Sequence, residues 1–172
     1  DDGAVIDELR LARANGPGSI RATGRLPWRQ EDAAEGGRDQ DLAAGFQLIV
    51  EHLPIFAPRR GPDLEPTALA TLTGRVLVGG TASVPRIEAD LGLTDVRIGD
   101  VRLDRLASRL SYSDRQLAIS LHAWLRGQRV LGGQGWIPLD LRLTPVAERR
   151  LAEPLDFVVR ATGMPATILT SF

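Results

Sequence analysis

Along residues 72–143, hydrophobic and polar positions alternate with a period of two, broken only by short turn signals. The alternation is densest over residues 84–125. There Ile87, Ala89, Leu91 and Leu93 fall on one parity, and Arg86, Glu88, Asp90 and Thr94 on the other. That is the pattern of a half-buried strand, because successive side chains of a strand point to opposite faces. A helical template would put Asp90 on the apolar stripe. The pattern then restarts: Val101 and Leu103 alternate with Arg102 and Asp104, Leu106, Leu110 and Tyr112 with Ala107, Arg109 and Ser111, and Leu117, Ile119, Leu121 and Ala123 with Ala118, Ser120 and His122.

The same period, less regular, runs through the rest of the chain. Residues 5–13 and 20–26 read as two strands joined at Asn15-Gly16-Pro17-Gly18, a turn in which Gly and Asn accept positive φ. Residues 29–41 lack periodicity and are expected to form a mobile loop. Leu42, Ala44, Phe46, Leu48 and Val50 make a further strand, followed by a proline-rich bend at 58–66. Pro66 suits the first turn of one short helix ending near Thr71. Turn chemistry at Gly79-Gly80-Thr81, Thr94-Asp95, Ile98-Gly99-Asp100, Ser113-Asp114, Arg126-Gly127 and Gly132-Gly133 predicts successive hairpins. Residues 136–143 and 155–161 complete the strands. A short echo, Ala22-Thr23-Gly24-Arg25-Leu26-Pro27 against Gly133-Gln134-Gly135-Trp136-Ile137-Pro138, with Ala161-Thr162-Gly163-Met164-Pro165 echoing both, suggests repeated strand-closing units in an elongated sheet. The expectation is an all-β fold with an elongated, antiparallel, curled sheet and at most one short helix.

Composition narrows the chemistry. With 172 residues the chain suits one domain, and it has 21 basic residues, all of them arginine, and no cysteine. The missing lysine excludes a Walker A loop and Schiff-base catalysis. The missing cysteine excludes disulfides, thiolate nucleophiles and thiolate metal sites. A net charge of −1, with Arg interleaved among Asp and Glu, leaves no basic footprint for nucleic acid. No signal peptide or apolar run long enough to span a bilayer is present in the sequence. Because it opens on Asp1-Asp2-Gly3 without an initiator Met, it reads as a segment of a longer protein.

Candidate catalytic groups are few, and each has a plainer explanation. Glu88 and Asp90 share a strand face beside Arg86, as solvated charges do, rather than facing one another across a cleft as a glycosidase requires. His52 and His122 have no metal-ligand spacing. Gly132-Gly133-Gln134-Gly135 lacks both the spacing and the following helix of a phosphate cradle. Trp28, Trp124 and Trp136 could form a sugar-stacking platform, which supports the alternative of a β-sandwich carbohydrate-binding module. No acid-base set supports an enzyme, and no cofactor is implied.

The runs Gly-Arg-Val-Leu-Val-Gly-Gly-Thr-Ala-Ser-Val-Pro at 74–85 and Gly-Gln-Gly-Trp-Ile-Pro-Leu-Asp-Leu at 133–141, together with the strands between them, resemble the TamB family. These are translocation and assembly module subunits of bacterial envelopes, related to AsmA-like proteins. The resemblance implies a periplasmic protein anchored in the inner membrane by a segment outside this chain. Its strands would roll into a taco-like apolar groove that conducts phospholipid towards the outer membrane or assists outer-membrane protein assembly. The implied partners are phospholipid acyl chains and an outer-membrane assembly protein of the BamA/TamA type, without catalytic residues. The pattern nominates Leu48, Val50, Val76, Val78, Ile87, Leu91, Leu93, Leu117, Ile119, Leu121, Leu141, Leu143, Phe157 and Val159 as the lining. The same side chains would equally form the core of a closed two-sheet sandwich, and the resemblance selects the groove. A segment of such a sheet is expected to associate end to end through bare edge strands.

Overall fold

The structure is a computed structural model that describes residues 4–14, 16–26, 44–56, 68–98, 101–146 and 148–163. Strands β1 (Ala4–Ala12), β2 (Ser19–Leu26), β3 (Gly45–Phe56), β4 (Ala68–Gly80), β5 (Pro85–Ile98), β6 (Val101–Ser113), β7 (Gln116–Leu125), β8 (Gln128–Pro138) and β9 (Asp156–Ala161) follow one another in sequence. They form one antiparallel sheet in the order β1-β2-β3-β4-β5-β6-β7-β8-β9. Nine strands spaced by about 4.8 Å give a sheet on the order of 40 Å across. Substantial contacts join only strands adjacent in sequence, so the sheet is open and at most mildly curled. No helix occurs among the described residues.

Several sequence expectations change. Residues 68–71 open β4 rather than close a helix. Thr94-Asp95 is not a hairpin turn but a bulge inside β5, and Gly132-Gly133 lies inside β8. The last long strand begins at Gln128 and stops at Pro138, so Leu141 and Leu143 leave the sheet. The loop at 29–41, the bend at 58–66 and Trp28 lie outside the described residues. Two tight hairpin turns do appear. Asp114 and Arg115 have φ of 50° and 63°, Arg126 and Gly127 of 53° and 74°, the left-handed pairs that match the twist of flanking strands.

Bulges correct the phase of the alternation. Thr71 pairs with Thr94 and Leu69 with Arg97, so Asp95 and Val96 together oppose Ala70. Asp95 takes the positive φ of 54° that this insertion needs. The slip turns Val96 to the side of Leu93, where it packs with Leu103, Ala123 and Val130. Val130 is itself the extra residue between the pairs Ala123–Leu131 and Trp124–Arg129. His52, with φ of 48°, performs the same correction in β3 between Val50 and Leu53.

Candidate functional site: a one-sided apolar face

Residues directly opposite in an antiparallel ladder share a face, so the register can be followed across the sheet. Leu48 pairs with Val76 and Val76 with Ala89, Ala89 with Leu110, Leu110 with Ile119, Ile119 with Gly135, and Gly135 with Phe157. A parallel row joins Val50, Gly74, Leu91, Ser108, Leu121, Gly133 and Val159. Val78, Ile87 and Leu117 occupy a third row through Tyr112, and Leu93 a fourth through Leu72 and Leu106. Twelve of the fourteen nominated residues therefore lie on one face. Ile20, Ala22 and Phe46 extend the rows into β2 and β3. The period of two in 20–26 and 42–50 could have named these as well.

Most side chains on this face are half-buried. Fully buried apolar residues among the described ones are few and are mainly small or at bulges: Ala22, Ala89, Val96, Ala123 and Val130 are examples. At the margins the face becomes exposed, with Leu9 and Leu11 on β1 and Phe157 and Val159 on β9. No second described sheet lies on it, so the two-layer sandwich expected as the alternative is absent from the described residues. Where the rows contain glycine, neighbours fill the gap: a Cβ on Gly74 would lie 2.7 Å from Leu91 Cδ2, and the Phe157 ring lies over Gly133 and Gly135. At Gly135 a Cβ would come within 2.6 Å of Phe157 Cα, so β9 can approach β8 only because this position is glycine.

The opposite face is polar. Arg75, Glu88, Asp90, Arg109 and Ser111 are exposed there, and Asp90 accepts a 2.7 Å hydrogen bond from Arg109 Nε. The Glu88/Asp90 pair is thus a solvated strand face. Trp124, with the Arg105 guanidinium 5.2 Å from its ring centre, lies at one end of the β7–β8 ladder, while Trp136 pairs with Ala118 near the other. Six residues along β7 separate those positions, about 20 Å, so the two tryptophans do not form one stacking platform. His122 lies against Gly132 on this face, with Nδ1 shielded and without a hydrogen-bond partner among the described residues. No cluster of metal-ligating side chains occurs among the described residues, nor does a helix long and apolar enough to cross a bilayer.

Leu141 and Leu143 belong to a feature that strand periodicity did not reveal. After Pro138 the chain crosses one end of the sheet as a strap, donating from Leu139 N–H to Arg115 O (3.0 Å), from Leu141 N–H to Tyr112 Oη (2.8 Å) and from Leu143 N–H to Ala82 O (2.9 Å). Tyr112 belongs to the apolar rows and is buried, so the strap passes over the apolar face at this end. The chain returns with Asp140 N–H donating to Arg149 O and Leu151 N–H to Pro138 O.

Asp140, 1% exposed, holds the strap together. Its carboxylate accepts from Arg142 Nε and Nη2 (2.9 and 2.6 Å) and from the Arg142 N–H (3.1 Å), while Arg115 Nε lies 3.6 Å away. Arg149 Nη1 donates to the carbonyls of Asp140 and Arg142. The Arg142 hydrogen bonds outweigh the opposing effect of burial and hold the Asp140 carboxyl at about 2, below its ordinary value. The only sequence signal was the Asp140-x-Arg142 spacing itself, which strand alternation explains equally well.

No protein-family model, curated protein or solved structure matches the chain.

Proposed function

We propose that the apolar face is a trough for phospholipid acyl chains, in a segment of a TamB-like envelope protein. The reading places the chain in the periplasm, as part of a protein anchored in the inner membrane. There it conducts phospholipid between the membranes or assists assembly of outer-membrane proteins, together with an outer-membrane partner of the BamA/TamA type. What supports it is the run of mainly apolar rows from β2 to β9 without a second described layer to cover them. A continuous apolar face of this kind marks an interaction surface. Its Leu, Ile and Val side chains offer acyl chains dispersion contact without directional selection, and about ten buried methylenes contribute roughly 8 kcal/mol at ~0.8 kcal/mol each.

Native mass spectrometry with lipid extraction tests the reading, comparing the parent with a variant carrying Leu91→Arg and Ile119→Arg. Phospholipid should accompany the parent and be lost from a variant that keeps its β-rich circular dichroism. A lipid-free parent, also unable to take up added phospholipid, overturns the proposal.

A further inference from the structure

The two edges of the sheet differ. β1 carries Asp7, Glu8 and Arg10 and has a register shift between Ile6 and Leu9, devices that spoil an edge for pairing. β9 runs Asp156-Phe157-Val158-Val159-Arg160-Ala161 without a bulge, is exposed throughout, and pairs with no described residue on its outer side. Its three central residues are large and apolar.

The free hydrogen-bonding groups of β9 can be assigned. Thr162 N–H donates to Val130 O, and the carbonyls of Asp156 and Val158 point towards β8 at Gly135 and Gly133. Even-numbered residues therefore spend their backbone groups on β8. In an antiparallel ladder the intervening residues point both N–H and C=O the other way, so Phe157 and Val159 present theirs to the side of β9 on which no described residue pairs.

We infer that β9 is a self-complementary docking edge, pairing antiparallel with β9 of a second copy of this chain about a two-fold axis through Val158. In this register Phe157 opposes Val159 of the second copy, so the outward amides and carbonyls meet as hydrogen-bonded pairs. Val158 opposes its own copy in a non-hydrogen-bonded pair. Asp156 opposes Arg160, and Arg160 opposes Asp156, giving two opposite-charge pairs on the polar face; neither side chain has an ion-pair partner among the described residues. Shifting the register by one residue loses both charge pairs and sets spent backbone groups against free ones. Pairing with β1 of another copy would have to accommodate its bulge. Because opposite residues share a face, the apolar rows run on through Phe157 and Val159 into the second copy. So short a ladder is below the size of stable interfaces, and the dimer is weak and concentration-dependent.

Because the chain has no cysteine, single cysteines report the register. Across the two-fold axis Val158 Cα atoms would lie about 4.5 Å apart, within disulfide range. Two cysteines at 156 would be four residues out of register, about 14 Å apart. Mild oxidation of the 172-residue chain should cross-link Val158→Cys into a dimer and leave Asp156→Cys and Arg160→Cys monomeric. In sedimentation, Asp156→Arg or Arg160→Asp alone should weaken self-association by roughly tenfold, since two attractive pairs become repulsive, and the double exchange should restore it. Equal cross-linking at all three positions, no cross-linking at 158, or no rescue by the double exchange overturns the inference. None of these readouts depends on what the apolar face holds.

Discussion

The two ends of the apolar face are finished by different physics. At one end a strap is fixed by directional polar contacts: the Tyr112 hydroxyl, backbone hydrogen bonds from Leu139 and Leu143 to Arg115 and Ala82, and a buried carboxylate held by Arg142. At the other, bulges at Asp95 and Val130 bring extra aliphatic side chains onto the face, and Val96, Leu103, Ala123 and Val130 pack without polar groups. A single sheet with no described layer over it has little depth in which to bury side chains. Its order near the ends then depends either on hydrogen bonds across it or on locally increased aliphatic density. The aliphatic end contributes stability that is indifferent to pH, whereas the strap end is tied to the charge of one residue.

Substitutions should separate the two ends. The largest effect is expected from Leu103→Ala, which removes a buried Leu from the aliphatic cluster and should lower unfolding stability by about 3 kcal/mol in urea titration. Asp140→Ala should cost about 2 kcal/mol, the scale of hydrogen bonds to a charged group, and hydrogen exchange should show the gain in exposure concentrated in the strap and its contacts. Tyr112→Phe deletes only the acceptor for Leu141 N–H and should cost about 1 kcal/mol. If exchange after Asp140→Ala rises equally at both ends, the ends are not independent.

Acid sharpens the same contrast. The Asp140 carboxyl is held at about 2 against an ordinary value of 3.8. Its contribution is therefore complete above about pH 4. It falls away as the pH drops through the folded-state value, because protonation removes the charge that Arg142 holds. Hydrogen exchange between pH 4 and 2, corrected for its intrinsic pH dependence, should show the strap loosening before the Val96–Leu103 cluster. The parent and Asp140→Asn should converge at the acid limit.

Much of the face was legible in the sequence because a strand's side-chain period is two regardless of its neighbours. Ile87, Ala89, Leu91 and Leu93 could be assigned to one side before any pairing was known. Parity fails wherever a bulge adds a residue: Asp95 looked like a turn because its residue type suits positive φ, and it takes that φ inside a strand instead. The strap was illegible for a different reason. Leu139, Leu141 and Leu143 keep the strand period, yet their amides bond to Arg115, Tyr112 and Ala82, partners more than twenty residues away. Alternation does not encode which backbone a segment will meet. Residues 68–71 open a strand rather than close a helix because Pro66 marks only a permitted start in the sequence, while Leu69 and Leu72 pair with Phe56 and Leu53 of β3.

The most direct test of the central claim uses an environment-sensitive fluorophore placed singly by cysteine at positions 118 to 121 of β7, with doxyl-labelled phospholipid as quencher. Quenching is expected at 119 and 121 and little at 118 and 120, an alternation with the strand period that identifies the face contacting lipid. Uniform quenching, or none at any of the four positions, would contradict a one-sided lipid trough.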